Sequence, residues 1–198
     1  MATNAWRKAW EHFRGRGAFP HQFAFLLVNP LRNLMFSPRE LVARLHLSAN
    51  SQVLELGPGP GFFSVEVARR IPSGHLSLVD VQREMLIKAG ARTRRADVSN
   101  VSFVQASASA LPFAHEVFDA AFLVTVLGEV PDAAACVVQL RDALLPGGLL
   151  SITELTGDPD AMTESDIVAL ATAANLQPSE TFKKRFGVTV NFRKPAGI

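Results

Sequence analysis

The chain has 198 residues, close to the ~150 typical of one domain, and its 48% hydrophobic and 19% charged content excludes a disordered class. A single cysteine, Cys136, excludes an internal disulfide, and with neither HExxH nor CxxC present no structural metal site is expected. The net charge of +2 divides into +5 over residues 1–50, −8 over 51–180 and +5 over 181–198, so the basic ends either face solvent or meet an anionic surface.

No apolar run approaches the ~20 residues of a membrane span; Phe23 to Val28 stops at Asn29-Pro30. Met1 to Arg16 mixes Trp6, Trp10 and Glu11 with basic residues and lacks the apolar centre of a signal peptide, so a soluble cytoplasmic protein is expected.

Residues 1–47 read as a helical cap or lid, broken near Asn29-Pro30. Ser37-Pro38-Arg39-Glu40 then supplies a cap, a first-turn proline and a capping glutamate for a helix to about His46. From residue 48 onward a second unit alternates strands with helices. Strands are predicted at 53–56, 76–80, 101–105, 118–124 and 149–153, with helices over 62–71, 83–91, 132–144 and, capped by Thr163, up to Ala174. Pro146-Gly147-Gly148 is expected to stop the third of these, over 132–144. Two last strands around Gly187 must form an antiparallel hairpin at one edge of an otherwise parallel α/β sheet.

The chemistry concentrates in Val53-Leu54-Glu55-Leu56-Gly57-Pro58-Gly59-Pro60-Gly61-Phe62. A glycine turn between the first strand and first helix lets a ligand approach the backbone at a positive helix end. G-x-G-x-x-G is not met, because Phe62 stands at the third glycine position, and no Gly-Lys-Ser/Thr follows for a P-loop. Glu55, at the strand end, would repel pyrophosphate and attract an ammonium group. Asp80 ends the second strand, where such folds place an acid for ribose hydroxyls. The ligand so implied carries a ribose and a cation and no phosphate chain. Glu55 could instead cap the following turn, and Asp80 a helix from residue 82.

Five segments, Glu55 to Gly61, Leu78-Val79-Asp80-Val81, Ala110-Leu111-Pro112-Phe113, Phe118-Asp119-Ala120 and Leu145-Pro146-Gly147-Gly148, occur in order over residues 38–195. In them the chain resembles the class I S-adenosylmethionine-dependent methyltransferases, closest to the type 11 subgroup that includes quinone-biosynthesis C-methyltransferases. The resemblance implies a Rossmann-like, seven-stranded, mostly parallel sheet with an antiparallel edge strand. It implies that Gly57, Pro58, Gly59 and Gly61 line the methionine part of S-adenosylmethionine, with Glu55 toward its amine. Asp80 would hold the ribose, while Val81, Gln82 and Met85 pack near ribose or adenine. Thr125 would offer its backbone to the amine. Ala106-Ser107-Ala108 departs from the family's Gly-Asp-Ala, so Ser107 and Ala108 would meet adenine without a charge.

Methyl transfer from a sulfonium needs alignment and exclusion of water more than acid–base work. Glu129, beyond the fourth strand, and His21, in the cap, are the candidate general bases, neither expected to be indispensable. No Asn/Asp-Pro-Pro-Tyr/Phe motif follows the fourth strand, and Cys136 falls within a helix, so nucleic-acid substrates are not expected. Phe19 to Phe36, with Arg32 and Arg39 nearby, suggests either ordinary core or a lid for an apolar or lipid-like acceptor, with peripheral membrane contact through residues 19–36. The alternative function is a cofactor-binding module, or a homologue of other chemistry, that senses or scaffolds; S-adenosylhomocysteine is the product if methyl transfer occurs.

Overall fold

The computed structural model describes residues 37–156, 158 and 160–196. His21, and the lid and membrane contact expected of residues 19–36, lie outside the described residues. So does most of the expected cap, of which the described part is one helix, α1 (Pro38–Arg44).

After α1 come β1 (Gln52–Leu56), α2 (Ser64–Arg70), β2 (His75–Asp80), α3 (Arg83–Arg95), β3 (Val101–Gln105) and β4 (Phe118–Val124). They are followed by α4 (Ala133–Ala143), β5 (Leu144–Leu155), α5 (Glu164–Ala173), β6 (Gln177–Lys184) and β7 (Gly187–Arg193). The sheet order is β3-β2-β1-β4-β5-β7-β6. The first five strands pair in parallel, and β7 runs antiparallel to both β5 and β6, so the hairpin closes one edge with β6 outermost.

Strands buried on both faces read as continuous apolar runs, and their alternate residues feed two cores. Val53, Leu76, Leu78, Ala120 and Phe122 face α1, α2 and α3, whereas Leu54, Leu56, Val79, Leu123 and Ile152 face α4 and α5. Leu41, Leu45 and Leu47 belong to the first core, so α1 packs within the sheet unit.

Several boundaries differ from expectation for local reasons. The helix predicted from Phe62 begins at Ser64, after a turn in which Phe62 and Phe63 stack edge to face at 4.8 Å. α3 continues past Ala91 to Arg95, with the Phe103 ring packed against it at Gly90. Pro146-Gly147-Gly148 does not end α4, which stops at Ala143; it bulges β5, whose pairing with β4 jumps from Phe118↔Leu144 to Ala120↔Leu149. Ser37 makes no side-chain cap bond, although Glu40 does take the Ser37 amide, and the full capping box forms at Thr163 and Asp166. Among the described residues no helix is long and apolar enough to cross a membrane.

Phe122 lies fully buried at the middle of β4, between β1 and β5. Phe122→Ala is expected to lower unfolding stability by about 3–5 kcal/mol, read as a shift of the denaturant midpoint at constant slope. A loss below about 1 kcal/mol would show that the centre of the sheet does not anchor the core.

Candidate functional site

The strand order reverses between β1 and β4, and a parallel sheet opens a crevice at such a point, beyond the carboxyl ends of its strands. A cavity of about 330 Å³ lies there. The β1–α2 loop contributes Glu55, Gly57, Pro58 and Gly59 to its wall; the end of β2 and the start of α3 contribute Asp80, Val81, Gln82 and Met85. Ser107 and Ala108 follow β3, and Thr125 and Glu129 follow β4. Twelve of the thirteen described residues expected at the site thus meet around one space.

Gly61 is the exception. Its missing Cβ would stand 3.1 Å from the Ala89 backbone, so this glycine lets α3 pack close and does not line the cavity. Gly57 faces the opposite neighbour. It takes φ +66°, and an added Cβ would meet Val126 Cγ2 at 2.5 Å. The turn after β1 and the wall after β4 interlock there, a contact that the sequence spacing did not reveal. Val126, Val130 and Pro131, also unforeseen, complete that apolar wall.

Both acids sit at strand ends on the face covered by α2 and α3. Glu55 is 2% exposed and accepts a 2.6 Å hydrogen bond from Ser64 Oγ, at the first residue of α2. Burial, reinforced by the nearby Asp80 charge, pushes its pKa up to about 8 despite that bond. Asp80 is 8% exposed, and its Oδ1 accepts the Gln82 amide at 2.9 Å. Its pKa is also raised by burial, while the amides of Gln82, Gly59 and Val81 oppose the rise. Asp80 therefore holds the start of α3 and the glycine loop while facing the cavity.

Glu129 is half-buried on the short helical turn Leu127–Glu129, the third acid of the lining. Among the described lining residues none is Lys, Arg or His. The charged side chains that a phosphate chain would meet in such a space are all acids; a cation would be favoured. The Thr125 amide donates to the Thr153 carbonyl at 2.8 Å; an ammonium group, being only a donor, would use the Thr125 carbonyl. Ser107 Oγ accepts the Ser109 amide, and its side chain adds no charge to the cavity wall. Cys136 is buried in α4 with its thiol pushed up to about 12 by burial and by Asp132, which leaves it unsuited to nucleophilic attack. Among the described residues no group of three His, Cys, Asp or Glu could hold a metal.

The methyltransferase domain family, compared as a family, matches residues 47–186. Ubiquinone/menaquinone biosynthesis C-methyltransferase UbiE of Marinomonas sp. (strain MWYL1) is 34% identical over 122 residues, 60% of this chain and 48% of that protein. The chain thus spans about half the length of the curated relatives it matches. A SAM-dependent methyltransferase from Aquifex aeolicus superposes with TM-score 0.84 at 19% identity, covering 89% of this chain and all of that one. The N-methyltransferase NodS of Bradyrhizobium japonicum WM9, solved with S-adenosyl-L-homocysteine, gives 0.70 at 23% identity, covering 88% and 98%.

A cation placed beside Glu55 requires the carboxylate, so the proton held below about pH 8 must leave on binding. Isothermal calorimetry with S-adenosylhomocysteine in buffers of different ionisation enthalpy should show release of nearly one proton near pH 7, with affinity rising by up to ~tenfold per unit between pH 6 and 8. The Glu55→Gln variant should lose this proton release. The same raised pKa makes the ligand-free fold lose stability as pH climbs from about 4.5 toward 8, because the native state keeps a proton that the unfolded chain gives up. Proton-neutral binding by the wild type would separate Glu55 from the cation site.

Proposed function

Because this chain belongs to the methyltransferase domain family, we propose that it moves a methyl group from S-adenosylmethionine to a ring carbon of a quinol-type, lipid-like acceptor. The observation that carries the first half is the charge of the cavity: Glu55, Asp80 and Glu129 line it, no described cation does, and a glycine loop opens it at the topological switch point. Those residues fit a ligand with a ribose, an ammonium group and a sulfonium.

When bound, that cofactor supplies a methyl carbon already activated by a positively charged sulfur. The rest falls to the chain. Asp80, fixed by three backbone amides, accepts the two ribose hydroxyls, and Glu55 as carboxylate balances the amine. Gly57 and Gly59 let the ligand lie against backbone, while Phe62, Val126 and Val130 keep water from the reacting atoms. The acceptor side is then the wall after β4, apolar except for Thr125 and Glu129.

The acceptor class draws support from that apolar wall and from relatives whose names specify C-methyl transfer in quinone biosynthesis. A quinone ring carbon is electrophilic; only the reduced quinol, deprotonated at oxygen, offers an electron pair to the methyl carbon. That pair would take up the methyl group the bound cofactor supplies, S-adenosylhomocysteine being the leaving product. Glu129 would receive the phenolic proton and pass it to solvent, and the ring proton would return to the keto oxygen as aromaticity is restored.

Incubating the chain with S-adenosylmethionine and a short-chain prenylated naphthoquinol under reducing conditions should yield methylated quinol and S-adenosylhomocysteine in equal amounts. The oxidised quinone should give neither. Product release matched by no methylated acceptor, or tight cofactor binding with no transfer to the quinol, would overturn the reading in favour of a sensing or scaffolding module. Glu129→Gln should lower kcat by about tenfold to a hundredfold at unchanged S-adenosylhomocysteine affinity. Asp80→Asn should weaken cofactor binding by about tenfold to a hundredfold, and Ser107→Asp should tighten it by roughly fivefold, since charge-assisted hydrogen bonds outweigh neutral ones.

A further inference from the structure

Along β5 the side chains facing α4 and α5 run Leu150, Ile152, Glu154, so a carboxyl stands where the alternation calls for a third aliphatic residue. Glu154 is 3% exposed, and its Oε1 has no hydrogen-bond partner. A buried ionisable group with an unpartnered oxygen opposes folding, and its presence asks for a compensating use.

Its surroundings supply one. The amides of Gly128 and Leu127 lie against the Glu154 carboxyl and favour its charged form. Those amides belong to the turn Leu127–Glu129, which carries Glu129 and then Val130 and Pro131 into the cavity wall. The charged groups acting on Glu154 are Asp158, on the segment after β5, and Glu129 itself; no cation is among them. Burial and these two acids push its pKa up to about 8, so near neutral pH it is a neutral acid that still offers oxygen to an amide. The turn has no slack on its other contact: a Cβ on Gly128 would stand 1.7 Å from the Asp160 carbonyl oxygen.

We propose that Glu154 is a positioning residue for the acceptor end of the cavity: through the Leu127 and Gly128 amides it fixes the turn that presents Glu129. Glu154 does not line the cavity and acts only through that backbone. The acceptor end is that of the function proposed above, and the proposal rests on that reading for its kinetic consequence alone.

Two substitutions divide this role from ordinary packing. Glu154→Leu restores the aliphatic alternation of β5 and removes both oxygens; Glu154→Gln keeps one acceptor oxygen at the same size. Hydrogen–deuterium exchange of the full chain, with and without S-adenosylhomocysteine, should show the amides of 125–131 exchanging about tenfold or more faster in E154L, with β1 to β3 unchanged and the thermal midpoint equal or higher. E154Q should return exchange to within about threefold of wild type. With the prenylated naphthoquinol, E154L should raise the acceptor KM about tenfold while its S-adenosylhomocysteine affinity stays within about threefold, and E154Q should restore KM.

Unchanged exchange over 125–131 in E154L would overturn the proposal, as would loosening spread equally through α4 and α5, or E154Q behaving like E154L. A wild-type chain inert toward the naphthoquinol would remove the quinol acceptor, and the exchange comparison would still decide for or against Glu154.

Discussion

Glu55 and Asp80 leave water together at neighbouring strand ends, with no described cation lining the cavity they face. Burial of a carboxyl without a counter-charge opposes folding, and both groups answer by holding their protons more tightly than in water. A ligand that brings its own positive charge reverses that penalty, whereas an anion would deepen it. The pairing of β1 with β2 places Glu55 opposite Leu78 and Leu56 opposite Val79, so Asp80 comes one residue past the last paired position. The register of two parallel strands therefore sets the separation of the two acids, and the glycine turn between β1 and α2 sets how near a ligand comes to them.

The rest of the cavity is coupled to this pair by contact. Gly57 admits Val126 where a side chain could not, so the turn holding the acids and the wall after β4 share one surface. On the side of Val126 away from the acids, the backbone is held at three points: the Thr125 amide on Thr153, the Gly128 approach to Asp160, and Glu154 against the turn. Thr125 itself adopts φ +55°, a conformation that a residue with a side chain takes at some cost and keeps only where its surroundings dictate it. A wall so over-determined can bring a carboxylate to a fixed place, which is what alignment-driven chemistry requires.

Where periodicity and punctuation coincide, the sequence was legible. β3 and β4 fall at 101–105 and 118–124 as the apolar runs indicated, and α5 starts at its Thr163 box. Glu55 and Asp80 could be placed because an acid at the end of an apolar run has few other uses. Gly61 could not, since a glycine that admits a ligand and one that admits a helix look alike in spacing. Pro146-Gly147-Gly148 reads as a stop but serves as a bulge within β5, because the strand partner, and not the tripeptide, decides whether the chain turns. Glu154 was invisible for a related reason: one acid in an apolar strand has no period, and its meaning comes from the two amides that another segment brings to it.

Glu55 and Glu154 make the point in physical terms. Both are glutamates near the carboxyl edge, both are buried, and both are driven to about the same pKa of 8 mainly by loss of water. Glu55 faces a space lined by acids and open to a ligand, so a cation entering there takes its proton's place. Glu154 faces backbone amides and other acids and does not line the cavity that Glu55 faces, so a ligand entering there does not meet its charge. One titration is therefore linked to binding and the other to the posture of a turn. The difference lies in which face of the sheet each strand position addresses: odd-numbered residues of β1 toward α2, even-numbered residues of β5 toward α5.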